Sequence, residues 1–249
     1  MNDLIAKAAE MLAKTRHVIA LTGAGISVES GIPPFRGPGG LWEKFDPMEV
    51  GHIRTFMKDP ARVWNTLMAE MRGVLKKAVP NSAHTSLARL EELSILKTVI
   101  TQNIDGLHQK AGNTDVIEFH GNFAWLTCMD CGNRKETISV NMDVLPPRCE
   151  CGGIFRPDCV FFGEAIPEEA LIRSREEARA CEVMLVVGTS AIVQPAAFMP
   201  MIAHQSGAKI IEINPEPTPL TESVSTFIIQ KRAGEALTAI MAEIEKRAG

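Results

Sequence analysis

The 249-residue chain predicts an α/β fold, a doubly wound parallel sheet interrupted by a small inserted unit. Two observations carry this. Short apolar runs alternate with helical stretches, the pattern of parallel strands buried on both faces. Four cysteines, Cys128, Cys131, Cys149 and Cys151, fall in one segment that breaks the alternation. At 45% apolar and 22% charged residues, the composition is that of an ordinary globular chain.

The elements follow in order. Leu4, Ile5, Ala8, Met11 and Leu12 have helical spacing. Val18–Thr22 is an apolar strand that ends in Gly23-Ala-Gly25, with a helix opening around Ser27. Leu96–Thr101 is a strand ending in Gln102-Asn103, and Val116–Phe119 one ending in His120-Gly121. Val183–Val187 runs into Gly188-Thr-Ser190, and Lys209–Ile213 into Asn214-Pro215. Helices are expected over Glu168–Ala180, opening at Pro167, and over Ala196–Gln205. Polar and glycine residues therefore collect at the carboxyl ends of the strands, where open α/β sheets hold their ligands. Residues 41–79 are helical and supply no strand, with Asp59-Pro60 opening a helix striped by Val63, Leu67, Met71 and Val74.

Composition excludes several classes. A net charge of −4 argues against a nucleic-acid surface. No apolar run is long enough to span a bilayer. The N-terminus lacks a secretory apolar region, so a cytoplasmic location and no membrane partner are expected. Six cysteines in such a chain read as metal ligands and core residues rather than disulfides. Cys159 and Cys181 are expected to be buried core thiols.

The C-x2-C and C-x-C pairs, separated by residues 132–148, place four thiolates within reach of one tetrahedral zinc. Four cysteines close the coordination sphere, so the metal is expected to be structural. Gly23, Ala24 and Gly25, between a strand and a helix, suit phosphate contact by backbone N–H groups. The full dinucleotide fingerprint wants a further glycine where this chain has Val28, and the same turn also occurs with no nucleotide. Glu212 and Asn214 could reach a ribose hydroxyl.

The segments GAGIS, SGIPPFRG (Ser30 to Gly37), TQNID, HG, the cysteine quartet, FFGE, GTS and EINP occur in that order from Leu21 to Gly234. This succession closely resembles the sirtuin family of NAD-dependent protein-lysine deacylases. The resemblance implies a Rossmann-like NAD-binding domain (1–40, 80–121 and 157–249) and a small domain of helical insertion (41–79) and zinc-ribbon module (122–156). By the same resemblance, Gly23, Ala24, Gly25 and Ser27 hold the NAD phosphates, and Phe35 and Arg36 belong to a cofactor-binding loop. Gln102, Asn103, Ile104 and Asp105 match the surroundings of the nicotinamide ribose and carboxamide. Gly188, Thr189, Ser190, Asn214, Pro215 and Ala233 match the adenosine end. Val160, Phe161, Phe162, Gly163 and Glu164 match a strand that pairs with the acyl-lysine peptide.

The implied chemistry breaks the nicotinamide–ribose bond, after which the acyl oxygen captures the anomeric carbon to give an alkylimidate. His120 is the expected base, because imidazole exchanges a proton near neutral pH, with Asn103 beside it. The products are free lysine, nicotinamide and 2'-O-acyl-ADP-ribose. His17, His52, His84, His108 and His204 match no motif and are expected to be structural. Relatives that prefer dicarboxylic acyl groups carry Tyr-x-x-Arg on the small-domain helix. This chain has no tyrosine and offers Leu67 and Glu70 there, which predicts neutral acyl groups. The expected partners are acyl-lysine proteins or peptides, with the chain itself a monomer. A mono-ADP-ribosyltransferase or a non-catalytic NAD sensor are the competing readings. A Rossmann dehydrogenase fits worse, since it leaves the zinc quartet unexplained.

Overall fold

The structure, a computed structural model, describes residues 2–248. Its strands are β1 (Val18–Thr22), β2 (Leu96–Thr101), β3 (Val116–Glu118), β4 (Gly121–Cys128), β5 (Arg134–Glu136), β6 (Phe155–Cys159), β7 (Val183–Val187), β8 (Lys209–Ile213) and β9 (Phe227–Ile229). Six of them form one sheet in the order β3-β2-β1-β7-β8-β9, with every pairing parallel. The chain lays strands outward from β1 to one side, then returns to β7 and lays them outward to the other. The strand order thus reverses between β1 and β7.

The two faces of this sheet separate residue by residue. Val18, Ala20, Leu185 and Val187 pack against the helices Asn2–Lys14, Ser82–Glu92 and Ala233–Ala248. Their neighbours Ile19, Leu21, Met184 and Val186 pack on the other side with residues of Glu168–Ala180 and Phe198–Gln205. Side chains alternate across a strand, so apolar runs without alternation are what a sheet covered on both faces requires.

A second core lies outside this sheet. Phe56, Val63, Trp64, Leu67 and Met71 from the helical stretch share it with Phe123, Leu126 and Phe155 from the cysteine segment. The Trp64 indole N–H donates to the Phe155 carbonyl at 2.9 Å, tying the two segments together. Asp59 caps the helical stretch by accepting from Arg62 N–H at 3.0 Å, with Pro60 in its first turn. Within that stretch, Trp64–Met68 forms a π-helical turn.

The structure departs from the sequence expectations in several places. The segment after the first glycine turn is a 3-10 helix, Ala24–Ser30, rather than an α-helix. The cysteine segment contains a three-stranded antiparallel sheet, β5-β4-β6. Strand β9, too short to show a period, completes the large sheet. The segment Val160–Glu164, expected as a strand, has no regular strand; its one ladder contact is a parallel bridge between Phe162 and His52. Among the described residues, no helix is long and apolar enough to cross a membrane.

Candidate active site and zinc centre

Cys128 ends β4, Cys131 follows in a turn, and Cys149 and Cys151 precede β6. Their sulfurs lie within 4.8 Å of one another. The Sγ–Sγ separations are 3.4 Å for Cys131–Cys151, 3.5 Å for Cys128–Cys151 and 3.8 Å for Cys131–Cys149. A tetrahedron with Zn–S bonds of about 2.3 Å has edges of about 3.8 Å, so the quartet has zinc dimensions and none of its pairs is a disulfide. Gly153 lies under the site, where an added Cβ would meet the Cys128 sulfur at 2.7 Å. Four sulfurs leave no coordination position for water, which makes this a site for one structural zinc.

A cavity of about 600 Å³ opens at the carboxyl edge of the large sheet, where the strand order reverses, and its far wall belongs to the second core. Its floor is a crossing of two backbones. Gly23 N–H donates to the Val187 carbonyl (3.1 Å) and Gly25 N–H to the Gly188 carbonyl (2.8 Å). Gly188 has a φ of +60°, and a Cβ there would lie 2.4 Å from the Ile26 nitrogen. Only glycine permits both the conformation and the approach. The amides of Gly23 and Gly25 are thus spent on β7. A phosphate placed here is left with the rim around Ala24 and the positive end of the short 3-10 helix.

Asn103, nearly buried, anchors the next layer. Its side-chain amide donates to the Gly23 carbonyl (3.2 Å) and to the Ser27 hydroxyl (3.1 Å). Ser27 in turn donates to Asp105 at 2.7 Å. Gln102 donates through its side chain to Thr189 Oγ1 at 3.0 Å, joining the ends of β2 and β7. His120 follows β3, packed edge-on against buried Phe119. Its Nδ1 lies 3.0 Å from the Gln102 carbonyl. A carbonyl can only accept, so Nδ1 carries the proton and Nε2 keeps its lone pair. Burial pushes the His120 pKa below the usual imidazole value, against a smaller upward pull from that carbonyl.

Most residues singled out in the sequence meet at this cavity. Gly23, Ala24 and Gly25, Phe35 and Arg36, and Gln102, Asn103 and Ile104 line it, as do Gly188, Thr189 and Ser190. His120, Asn214 and Pro215 also line it, and so do all five residues from Val160 to Glu164. Ser27 and Asp105 stand behind the wall in the Asn103 network. Ala233 does not reach the cavity; it is buried in the core at the start of the last helix. Glu212 is a correction: it does not line the cavity, and its buried carboxylate accepts from Thr218, Thr221 and Ser225. Glu70 is a second, since it pairs with Lys44 at 2.8 Å and does not line the cavity, whereas Leu67, Met68 and Met71 do.

Sequence reasoning did not find Trp42 or the Val193-Gln-Pro195 segment on the cavity wall. Trp42 packs between Phe35 (5.3 Å between centroids) and Phe162 (6.0 Å), with the rings tilted at 34° and 50°. The adjoining Gly39-Gly40 was the one signal that could have pointed to it. The other three residues lie in a loop with no periodic signal at all.

A Sir2 family model matches residues 23–195. The chain belongs to the Sir2 family. It is 45% identical over 240 residues to NAD-dependent protein deacylase 2 of Pyrobaculum aerophilum, covering 96% of this chain and 95% of that one. Among solved structures, a Sir2 homologue in complex with ADP-ribose superposes with a TM-score of 0.92 at 42% identity, covering 97% of each chain. A Sir2–p53 peptide–NAD+ complex superposes at 0.87 and 34% identity, covering 98% of each. Residues from most of the segments singled out in the sequence line this cavity, while the cysteine quartet forms the separate zinc centre.

Proposed function

We propose that this Sir2 protein is an NAD-dependent protein-lysine deacylase that moves the acyl group to ADP-ribose and releases nicotinamide. The observation that carries the reading is that one cavity joins the sheet's reversal point, a His120 imidazole held neutral with Nε2 unprotonated, and the Val160–Glu164 edge. Related Sir2 proteins have been seen with ADP-ribose and with peptide plus NAD+, which fits a cavity open to both. When bound, NAD supplies an electrophilic ribose carbon that accepts the acyl oxygen and a hydroxyl that keeps the acyl group.

The residues take the following parts. Gly23, Ala24, Gly25, Gly188 and Ser190 give a floor on which the nucleotide backbone can lie close to the chain. Asn103 and Gln102, fixed by Gly23, Ser27 and Thr189, orient the reacting ribose. Nε2 of His120 takes a proton from a ribose hydroxyl while Nδ1–H, held by Gln102, stabilises the imidazolium that results. Leu67, Met68 and Met71 offer an apolar wall to the acyl chain and no cation to a distal carboxylate. Neutral acyl groups, acetyl first, are therefore the expected substrates. The four reduced thiols of the zinc site suit the cytoplasm.

The test is mass spectrometry of an acetyl-lysine peptide incubated with the protein, with and without NAD. NAD-dependent loss of acetyl with matching nicotinamide and O-acetyl-ADP-ribose is expected. Loss of acetyl without NAD, or transfer of ADP-ribose to protein with the acetyl group retained, would overturn the reading.

A further inference from the structure

Val160–Glu164 has almost no regular structure, yet almost every N–H in it is already used. Val160 N–H donates to the His120 carbonyl (2.9 Å), Phe162 N–H to the Gly51 carbonyl (2.9 Å) and Glu164 N–H to the Phe161 carbonyl (3.1 Å). Phe161 N–H donates to the Glu164 carboxylate at 2.8 Å. Within Val160–Glu164, only the N–H of Gly163 has no partner among the described residues. The segment is a preformed edge rather than a free strand, and something must hold its shape.

Two clamps hold it. On one side, Ile53 N–H donates to the Phe162 carbonyl at 3.0 Å, and the His52 ring packs so close to Gly163 that a Cβ would lie 2.6 Å from it. On the other side stands Arg156, in β6, opposite Thr127 on the strand that carries Cys128. Its guanidinium makes two parallel bonds to Glu164, at 2.7 and 2.8 Å, and a third to the Cys159 carbonyl at 3.0 Å. It also lies 5.3 Å from the Phe161 ring centroid. Both side chains are more than three-quarters buried, at 24% and 20% exposure. A bidentate pair with this little solvent is the strong kind of ion pair, and removal of one partner leaves the other's largely buried charge unpaired.

We propose that Arg156 and Glu164 are positioning residues for the substrate peptide: their bidentate pair sets the Val160–Glu164 edge in docking shape, and neither side chain is a peptide contact. This reassigns Glu164, which the sequence placed among the residues that touch substrate. It rests on the reading that this edge receives the peptide, and it deepens that reading by naming what holds the edge. The pair acts mainly on the peptide: Val160 N–H reaches the His120 backbone carbonyl, but the imidazole is held through Nδ1 by the Gln102 carbonyl and the nucleotide floor by Asn103 and Gly188.

The experiment compares zinc-loaded wild type with Glu164→Gln, Arg156→Lys and the double variant, using initial rates over acetyl-peptide and NAD concentrations. Each single variant is expected to raise KM for the peptide about tenfold, the scale of one lost charge-assisted bond. KM for NAD should stay within about twofold, and kcat should fall far less than KM rises. The double variant should cost no more than the worse single one, since the pair acts as a unit. Direct binding of a fluorescent acetyl-peptide, with thermal melts alongside, covers a variant that turns over poorly. A peptide KM and affinity unchanged in folded variants would overturn the inference while leaving the deacylase reading standing. Equal losses for peptide and NAD would overturn it too, as plain destabilisation. A wild type that removes no acetyl with NAD would defeat the deacylase reading itself.

Discussion

The six-stranded sheet and the second core solve the burial problem in opposite ways. The sheet carries apolar residues on both faces of β1 and β7 and is covered by helices on each. The second core rests on short helices, a three-stranded antiparallel sheet and four thiols. A sheet this small depends on packing its apolar face against another element, and a structural metal is one of the usual supplements for a core too small to hold itself. The cavity lies where the two meet. One half of its wall comes from the strand ends of the large sheet and the other from residues of the second core, Leu67, Met68, Met71 and Phe161.

Removing the metal is the sharpest way to break this comparison. Chelation, or Cys128→Ala, is expected to unfold the second core while the large sheet persists, because structural zinc is worth on the order of 10 kcal/mol to a small module. Hydrogen exchange should show amides of β4 and β6 losing protection and those of β1 and β7 keeping it. Uniform loss of protection would show the two regions to be one cooperative unit.

His120→Ala tests the other side, since it should touch chemistry and neither core. Deacylation is expected to fall by roughly a hundredfold or more, the range of a lost general base, with an unchanged melting temperature. Activity near wild type in the folded variant would remove His120 from the mechanism. Because its pKa is depressed, the acid limb of the rate profile should fall below the ordinary imidazole value of about 6.5.

Acid should weaken the sheet region through two buried histidines. His84 and His108 are fully enclosed, with ring centroids 5.0 Å apart. Burial lowers the pKa of His84 to about 4 and that of His108 to about 3. Below about pH 6.5 the unfolded chain binds protons that the folded one refuses, so stability falls as pH falls. The slope is about 1.4 kcal/mol per pH unit for each histidine until its folded pKa is reached. Denaturant melts between pH 7 and pH 4, read at the sheet helices, should show this; a flat profile would mean the two rings are solvated.

Trp64→Phe sharpens the comparison at the smallest scale. It removes one buried donor to the Phe155 carbonyl between the helical and cysteine segments, at a cost of about 1–2 kcal/mol. The effect should appear in the second core and leave β1 and β7 protection unchanged.

How much of this was legible in the sequence follows from what each feature depends on. The strands β1 and β7 announce themselves because a strand covered on both faces is almost wholly apolar, and β2 and β8 because each keeps a buried apolar run, Val99-Ile100 and Ile210-Ile211, between its polar residues. The four cysteines and the Gly-Ala-Gly turn are legible for a related reason, since metal ligation and close backbone approach each admit few residue types. Strand β9, the three strands of the cysteine segment and the 3-10 form of Ala24–Ser30 were not legible. Strands β5 and β9 are three residues each, and β4, though eight residues long, takes its conformation from partners later in the chain. Trp42, Val193 and Pro195 reach the cavity only because the fold carries their loops there.

The sequence by itself therefore determined the kind of sheet, the metal and the chemistry of the strand ends, since each follows from residue type and local spacing. The tertiary structure alone decided which polar groups are free to act. It spends the Gly23 and Gly25 amides on β7, turns Glu212 toward three hydroxyls and Glu70 toward Lys44, and commits Glu164 to Arg156. Hydrogen-bond capacity is finite, and only the folded neighbours of a group determine whether that capacity is already taken.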